Sequence, residues 1–336
     1  MRRNKVFIIA EAGINHNGSF VLAKKLVNAA KKAGADAVKF QTFTAKNVIL
    51  KKAKKLSYQK KNNKDKETQL QLLKKLELKK DEFVKLKKYC KLKKIEFMST
   101  PKDLESAKFL NKLGVRIFKI GSGDILNKEL LKYLGRTKKK IILSTGLANI
   151  KEIDNAFKFF GRKKNIFLLH CVSLYPTPDN LANLNSIKFL KKKFKVICGF
   201  SDHTLGINIS LASIAKGAQI VEKHITLNKK MKGPDHKISL NPIDFAKLVN
   251  GIRQIEKSFG KFGKVISNNE KKNIKKFRRG LYFSKNIKKD HIILHEDIEV
   301  KRPLLGLDPT YKETIIGKKL KKNVSQDQPI KFNLFK

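Results

Sequence analysis

Acidic residues and cysteine are scarce in this sequence. Asp and Glu number 28 against 77 Lys and Arg, a formal net charge of +49. The three cysteines, Cys90, Cys171 and Cys198, are odd in number, far apart and in no metal-ligand spacing. That excludes a disulfide framework and a cysteine-held metal, and it suits a reducing compartment, so the expected location is the cytoplasm. No apolar run approaches the roughly 20 residues of a membrane helix, so no membrane partner is expected. The basic opening Met1 to Lys5 and the apolar Val6 to Ala10 imitate a signal peptide, but Glu11 cuts the run short and no cleavage site follows. The run reads instead as a first strand. It is not followed by a Gly-x-Gly-x-x-Gly turn, which argues against a dinucleotide-binding sheet. Repeats beyond a strand–helix unit, and low complexity beyond lysine richness, are also missing.

What is present describes a globular chain: 336 residues, 41% hydrophobic and 31% charged, enough for one large domain and a small one. So basic a chain invites a nucleic-acid hypothesis, which predicts strongly salt-dependent binding. Here the lysines are spread along the whole chain, in helix-like stretches such as Leu72 to Lys94 and Ile187 to Lys195. They do not form a patch interleaved with aromatics. The expectation is a solvated lysine-rich surface and no specific nucleic acid, with weak nonspecific polyanion binding or steering of anionic reactants as the lesser reading.

Short apolar or β-branched runs alternate with amphipathic stretches eight times before residue 260, the pattern of a parallel α/β fold. Strands are expected at Val6 to Ala10, Ala37 to Phe40, Ile95 to Met98, Ile117 to Ile120, Lys140 to Leu143, Ile166 to Leu169, Val196 to Phe200 and Ala218 to Val221. Helices following them include Val21 to Lys32, Leu104 to Leu113, Ile150 to Phe160, Leu184 to Phe194, Ile207 to Lys216 and Pro242 to Ser258. Eight such units favour a closed (β/α)₈ barrel over residues 1–260. A Gly-, Asn- and Lys-rich stretch, 261–277, reads as an exposed linker. The remainder, 278–336, reads as a small β-rich domain of roughly 60 residues, marginal for independent stability. Its strand-like runs include Gly280 to Ser284 and Ile292 to Leu294, with Gly306 to Pro309 as a turn.

A barrel builds its active site from the C-terminal ends of its strands, and every strand here ends in polar chemistry. In order these are Glu11 with Asn15 and His16, Lys39 with Gln41, Ser99 with Thr100, Lys119 with Ser122, Ser144 with Thr145, His170 with Ser173 and Tyr175, Ser201 with His203, and Glu222 with His224. Any one of these Ser or Thr residues could be a helix cap or a satisfied core group; eight strand ends in register make that a poor account of the whole set. Lys39 and Lys119, with hydroxyls at Ser99, Ser122, Ser144 and Ser201, suit a phosphate or carboxylate. His203 and His224, on consecutive strand ends, could share a divalent metal, Mn²⁺ first with Mg²⁺ or Co²⁺ as alternatives. Structural Zn²⁺ is disfavoured because no cysteine joins them. Glu11, Asp124, Glu222 and Asp235 remain for sugar hydroxyls or proton transfer.

At these residues the chain resembles the N-acetylneuraminate (sialic acid) synthase family along its whole length. The segments are Ile-Ala-Glu-Ala-Gly-Ile-Asn-His-Asn-Gly (9–18), Val-Lys-Phe-Gln-Thr-Phe (38–43), Ser-Thr-Pro (99–101), Lys-Ile-Gly-Ser-Gly-Asp (119–124) and Leu-Ser-Thr-Gly (143–146). They continue with Leu-His-Cys-Val-Ser-Leu-Tyr-Pro-Thr-Pro (169–178), Gly-Phe-Ser-Asp-His-Thr (199–204), Glu-Lys-His-Ile-Thr (222–226), Gly-Pro-Asp-His-Lys (233–237) and Lys-Arg-Pro (301–303). The resemblance implies metal-dependent condensation of phosphoenolpyruvate with the open-chain aldehyde of N-acetylmannosamine, giving N-acetylneuraminate and phosphate. It implies phosphoenolpyruvate at Lys39, Thr100, Lys119, Ser122, Ser144, Ser173 and Ser201, and metal at His203 and His224. The N-acyl amino sugar falls to Glu11, Gln41, Asp124, Tyr175 and Asp235, with Glu11 and Glu222 near the reacting centre.

The same resemblance makes 278–336 an antifreeze-like (SAF) domain that reaches across a domain-swapped homodimer, with catalytic Arg302 serving the other copy's site and its guanidinium on the N-acyl carbonyl. Two positions depart from the family pattern: Ser173 where many neuraminate synthases have Asn, and Asp124 where Glu is frequent. Both touch the choice of sugar, and a legionaminic acid synthase using 2,4-diacetamido-2,4,6-trideoxymannose is the alternative. Pseudaminic acid synthases usually lack the His after Gly-Pro-Asp, present here as His236. A catalytically silent barrel would show an eroded site, yet Lys39, Lys119, His203, Glu222 and His224 are intact.

Overall fold

The computed structural model describes residues 5–55, 67–161 and 163–336. Met1 to Asn4, part of the stretch that imitates a signal peptide, lie outside the described residues. The chain divides into two compact units, Met1–Phe259 and Gly260–Lys336.

In the first unit eight strands form a closed parallel barrel in sequence order. They are β1 (Phe7–Gly13), β2 (Ala37–Thr42), β3 (Glu96–Pro101), β4 (Ile117–Ile120), β5 (Lys140–Ser144), β6 (Ile166–Cys171), β7 (Cys198–Asp202) and β8 (Ile220–His224). Closure comes from β1 pairing with β8, Ile9 opposite Glu222 and Glu11 opposite His224. Most strands run one to three residues past their expected ends. The apolar pattern stops where the polar residues begin, but the backbone ladder continues through them.

Strand alternation sorts each strand into two faces. The outward face, with Ile8, Val38, Phe40, Phe118, Leu143 and Val221, packs into a large cluster with helix residues such as Leu26, Leu110 and Leu248. Each such Leu stabilises by about 1.5–3 kcal/mol relative to exposure. The inward face starts apolar: Ile9, Ala37, Met98, Ile117, Ile142, Leu169 and Ile220 belong to one buried cluster that plugs the barrel.

Several of the helices begin at side-chain caps. Ser19 accepts from Leu22 N ahead of Phe20–Lys32, Asp103 from Ser106 N ahead of Leu104–Leu113, and Asn149 from Glu152 N ahead of Ile150–Phe160. Asn241 with Pro242 in the first turn opens Pro242–Ser258. The helix-like stretch from Leu72 to Lys94 divides into Gln69–Leu76 and Lys80–Leu92. Glu77 between them is extended, and the Glu82 carboxylate accepts from Lys79 N at 2.7 Å to start the second helix. No helix among the described residues is long and apolar enough to cross a membrane.

The second unit has its own core, including Leu281, Phe283, Ile293, Ile298, Leu320 and Ile330. Its sheet pairs β9 (Gly280–Phe283) antiparallel with β10 (Ile298–Lys301). Of the run Ile292 to Leu294 only Ile293 is buried. The expected turn at Gly306 is a close backbone approach: a Cβ there would lie 2.2 Å from the Ile330 carbonyl oxygen, and Leu307 N donates to that same oxygen. The stretch read as linker contains a helix, Asn268–Phe277, opened by a Ser267/Glu270 capping box. All of its side chains are exposed or half-exposed, so its composition resembles that of a linker.

Candidate active site

Two residues beyond the apolar plug, on the same inward face, the barrel changes character. Glu11, Lys39, Thr100, Lys119, Ser144, Cys171 and Glu222 follow Ile9, Ala37, Met98, Ile117, Ile142, Leu169 and Ile220, and all line a cavity of about 1060 Å³. The cavity also receives Gln41, Ser122, Ser173, Tyr175, Ser201, His203, His224 and Asp235.

Its floor is a charge-balanced quartet. Lys39 Nζ lies 3.0 Å from Glu11 Oε2 and 3.4 Å from Glu222 Oε2, and Lys119 Nζ lies 3.7 Å from Glu222 Oε1. All four side chains are nearly inaccessible, so these charges interact strongly and are held only by one another and by their hydrogen bonds. Lys119 donates to Ser144 Oγ at 2.7 Å, Lys39 to Thr100 Oγ1 at 3.2 Å and Ser201 Oγ to Glu222 Oε1 at 3.0 Å. Burial opposes ionisation of Glu222, but Lys119 and Lys39 outweigh it and hold the carboxyl down at about 2. For Glu11 burial, helped by Glu222, prevails over Lys39 and raises the pKa. Burial pushes Asp235 up to about 7, with Glu11 adding to the rise, and lowers Lys119. Two adjacent cations among hydroxyls suit an anion, and the carboxyls beside them are shifted in opposite directions, Glu222 down and Glu11 and Asp235 up, as acid–base work requires.

Beside the floor stand the imidazoles, with His203 and His224 ring centroids 5.8 Å apart and Tyr175 4.2 Å from His203. Burial lowers both histidines, so each is neutral near pH 7 and keeps a lone pair. The Val172 carbonyl oxygen, 2.8 Å from His203 Nδ1, can only accept. That fixes the proton on Nδ1 and leaves Nε2 with its lone pair. Nδ1 of His224 is buried without a hydrogen-bond partner. Two neutral imidazoles, one fixed in tautomer, suit a divalent ion. Among the described residues no group of three or more His, Cys, Asp or Glu could hold a metal, so further ligands would be water or substrate.

Several expected residues stand elsewhere. Ser99 is fully buried on the outward face, 2.7 Å from Thr42 Oγ1 and donating to the Phe40 carbonyl oxygen; alternation assigns the inward place to Thr100. Asn15 ties Ile225 O to Ser239, Thr145 donates to Leu169 O, and His170 meets Ala182 O, so these three brace loops. His16 Nδ1 accepts from Gly18 N. Asp124 does not line the cavity; its carboxylate lies 3.8 Å from Lys102, which does. Arg302, in the second unit, is exposed with its guanidinium 6.0 Å from the Phe277 ring centre.

Sequence reasoning missed Lys102, Lys237 and Cys171 as lining residues. Cys171 could have been found by continuing the β6 alternation one step past Leu169. Gly146, which closes the segment Leu-Ser-Thr-Gly, has a steric role that residue type alone does not reveal. A Cβ there would come within 2.4 Å of Ser173 Oγ and 2.8 Å of Cys171 Sγ, so only glycine lets the end of β5 approach β6 at this point.

Comparison with known proteins gives the family and agrees with the barrel fold. The model described as NeuB family matches residues 26–264, and that described as SAF domain matches 278–336. The chain is 48% identical over 331 residues, 97% of its length and 99% of the other's, to the N,N'-diacetyllegionaminic acid synthase of Campylobacter jejuni. It is 40% identical to the synthase of the same name from Legionella pneumophila, over 95% of this chain and 91% of the other. The crystal structure of the N-acetylneuraminic acid (sialic acid) synthetase of Leptospira borgpetersenii in complex with citrate superimposes with a TM-score of 0.71 at 38% identity, over 81% of this chain and 90% of that one.

Proposed function

The chain belongs to the NeuB family, and on that premise we propose that it condenses phosphoenolpyruvate with 2,4-diacetamido-2,4,6-trideoxymannose to give N,N'-diacetyllegionaminic acid and phosphate. The observation that carries the choice of sugar is the end-to-end identity of 48% to a synthase named for that product. This reverses the order suggested by the motifs alone, which put N-acetylmannosamine first. The 38% identity to the Leptospira protein keeps N-acetylmannosamine as the second reading.

In this reading the Lys39 and Lys119 ammonium groups, with Thr100, Ser122, Ser144, Ser173 and Ser201, hold the phosphate and carboxylate of phosphoenolpyruvate on the cavity floor. The sugar lies above, against Gln41, Tyr175, Asp235 and Glu11, and Asp124 acts at the rim through Lys102. The methylene carbon of phosphoenolpyruvate forms a C–C bond to the sugar aldehyde, whose oxygen takes up a proton. Water adds at the resulting cationic carbon, losing a proton, and the tetrahedral adduct collapses to the ketone as its C–O bond to phosphate breaks and its hydroxyl proton leaves with the phosphate. Glu222, ionised throughout, stabilises the positive charge that develops at that carbon. Glu11, with its raised pKa, is suited to exchanging the proton. A divalent ion bound by His203 and His224, Mn²⁺ by preference, would supply Lewis-acid polarisation of the aldehyde oxygen, an effect of several kcal/mol. Arg302, lent across a homodimer, would bind the N-acyl carbonyl in the other copy's site.

The test is phosphate release by purified protein with phosphoenolpyruvate and Mn²⁺, offering each sugar in turn and weighing the products. The expected result is a higher kcat/KM with the diacetamido sugar and a product mass equal to N,N'-diacetyllegionaminic acid. Turnover of N-acetylmannosamine alone would replace the substrate assignment, and phosphate release from neither sugar would overturn the synthase reading.

A further inference from the structure

Each imidazole of the pair is preceded in sequence by a buried ion: Asp202 before His203 and Lys223 before His224. These two residues are register partners on β7 and β8. Because strand neighbours point to opposite faces, they lie behind the cavity wall, and neither lines it. Lys223 Nζ lies 2.8 Å from Asp202 Oδ2, the two side chains only 1% and 0% exposed. The ammonium also donates to the Thr204 carbonyl oxygen at 2.6 Å, and Asp202 Oδ1 accepts from Thr204 N at 2.8 Å. Ser210 Oγ donates to the other carboxylate oxygen. Together these contacts grip Thr204 at both its N–H and its carbonyl, immediately after His203. On the far side His203 is held by its own Nδ1 on Val172 O and by Thr177 N on its carbonyl.

We propose that Asp202 and Lys223 are positioning residues for the imidazole pair, a cross-brace behind the wall that fixes the turn carrying His203 against the strand carrying His224. The inference rests on the reading of those histidines as the metal pair. A buried ion pair adds little net stability, since desolvation offsets its attraction. What this one supplies is geometry: it ties backbone beyond β7 to a side chain on β8, setting the 5.8 Å between the rings. With two imidazole donors in place among the described residues and no third ligand joining them, affinity and coordination geometry depend on that separation, and groups behind metal ligands commonly change affinity by roughly 10- to 100-fold.

The experiment measures Mn²⁺ binding to the full chain without substrates by calorimetry, and the visible absorption of the Co²⁺-substituted protein, which reports ligand geometry. In Lys223→Met, Mn²⁺ affinity is expected to fall roughly 10- to 100-fold with an altered Co²⁺ band, and Lys223→Arg is expected to restore part of both. A folded Lys223→Met with wild-type affinity and spectrum overturns the proposal. Should that variant not fold, Ser210→Ala removes one donor to Asp202 without stranding a charge. A measurable loss of affinity there supports the brace, and unchanged affinity and spectrum overturn it. The underlying reading fails separately, if wild type binds Mn²⁺ no better than His203→Ala.

Discussion

The inward face of the barrel holds two tiers built from the same strands, two residues apart, under opposite physical rules. The lower tier, from Ile9 to Ile220, is apolar, and each side chain there gains free energy by leaving water. The upper tier, from Glu11 to Glu222, is just as buried but consists of ions, hydroxyls and the Cys171 thiol, and the desolvation of the ions is offset by one another and by those hydroxyls. The first tier explains why the barrel closes. The second costs stability, since ions taken out of water regain through one another only part of what desolvation loses, and its place at the bottom of the cavity suits an anionic ligand.

The largest effect expected from this contrast is on catalysis. His203→Ala should lower kcat by about a thousand-fold, since removing one of two imidazoles forfeits several kcal/mol of transition-state stabilisation, with little change in Tm. Met98→Ala, one tier below, should do the reverse. It should cost about 2–5 kcal/mol in denaturant unfolding with kcat within a few-fold of wild type. If both variants lose activity and stability together, the two tiers do not have separate roles.

A smaller effect concerns pH. Asp235 is pushed from its ordinary 3.8 up to about 7, so between about pH 4 and 7 the folded state keeps a proton that the unfolded state has lost. Stability therefore declines as pH rises through that window. The difference in stability between wild type and Asp235→Asn should shift in favour of Asn over the same range, measured by denaturant unfolding at each pH. Glu222 has the opposite sign: held at about 2, it contributes stability above its ordinary range that is lost as pH falls towards 2. The smallest effect lies outside the barrel. Lys85, paired with Asp81 at 3.2 Å on an exposed helix face, should change to Ala with no measurable shift of Tm.

The fold was legible because each strand and most helices carry their own periodicity, and the site was legible because a barrel gathers strand ends. The departures follow from what a linear pattern omits. Apolar runs mark where a strand is dry, not where its ladder stops, so most strands extend beyond their apolar runs. Adjacent residues Ser99 and Thr100 both looked like site hydroxyls, yet alternation sends one inside and the other behind the wall. The helix-like stretch from Leu72 to Lys94 hid a break at Glu77, since nothing in the residue types there forbids continuing. Lys102, Asp202 and Lys223 went unremarked because long side chains reach partners that sequence distance does not reveal: Lys102 lies 3.8 Å from Asp124, and Lys223 2.8 Å from Asp202.

The most direct test of the upper tier as an anion site is calorimetric titration of phosphoenolpyruvate into the wild-type protein and into Lys119→Met, without sugar. Wild type should show one binding site, and the variant a Kd at least roughly a hundred-fold weaker, the loss of one buried charge-assisted contact set. Equal affinity in the two proteins would contradict it, because the anion would then be held somewhere other than the floor of the barrel.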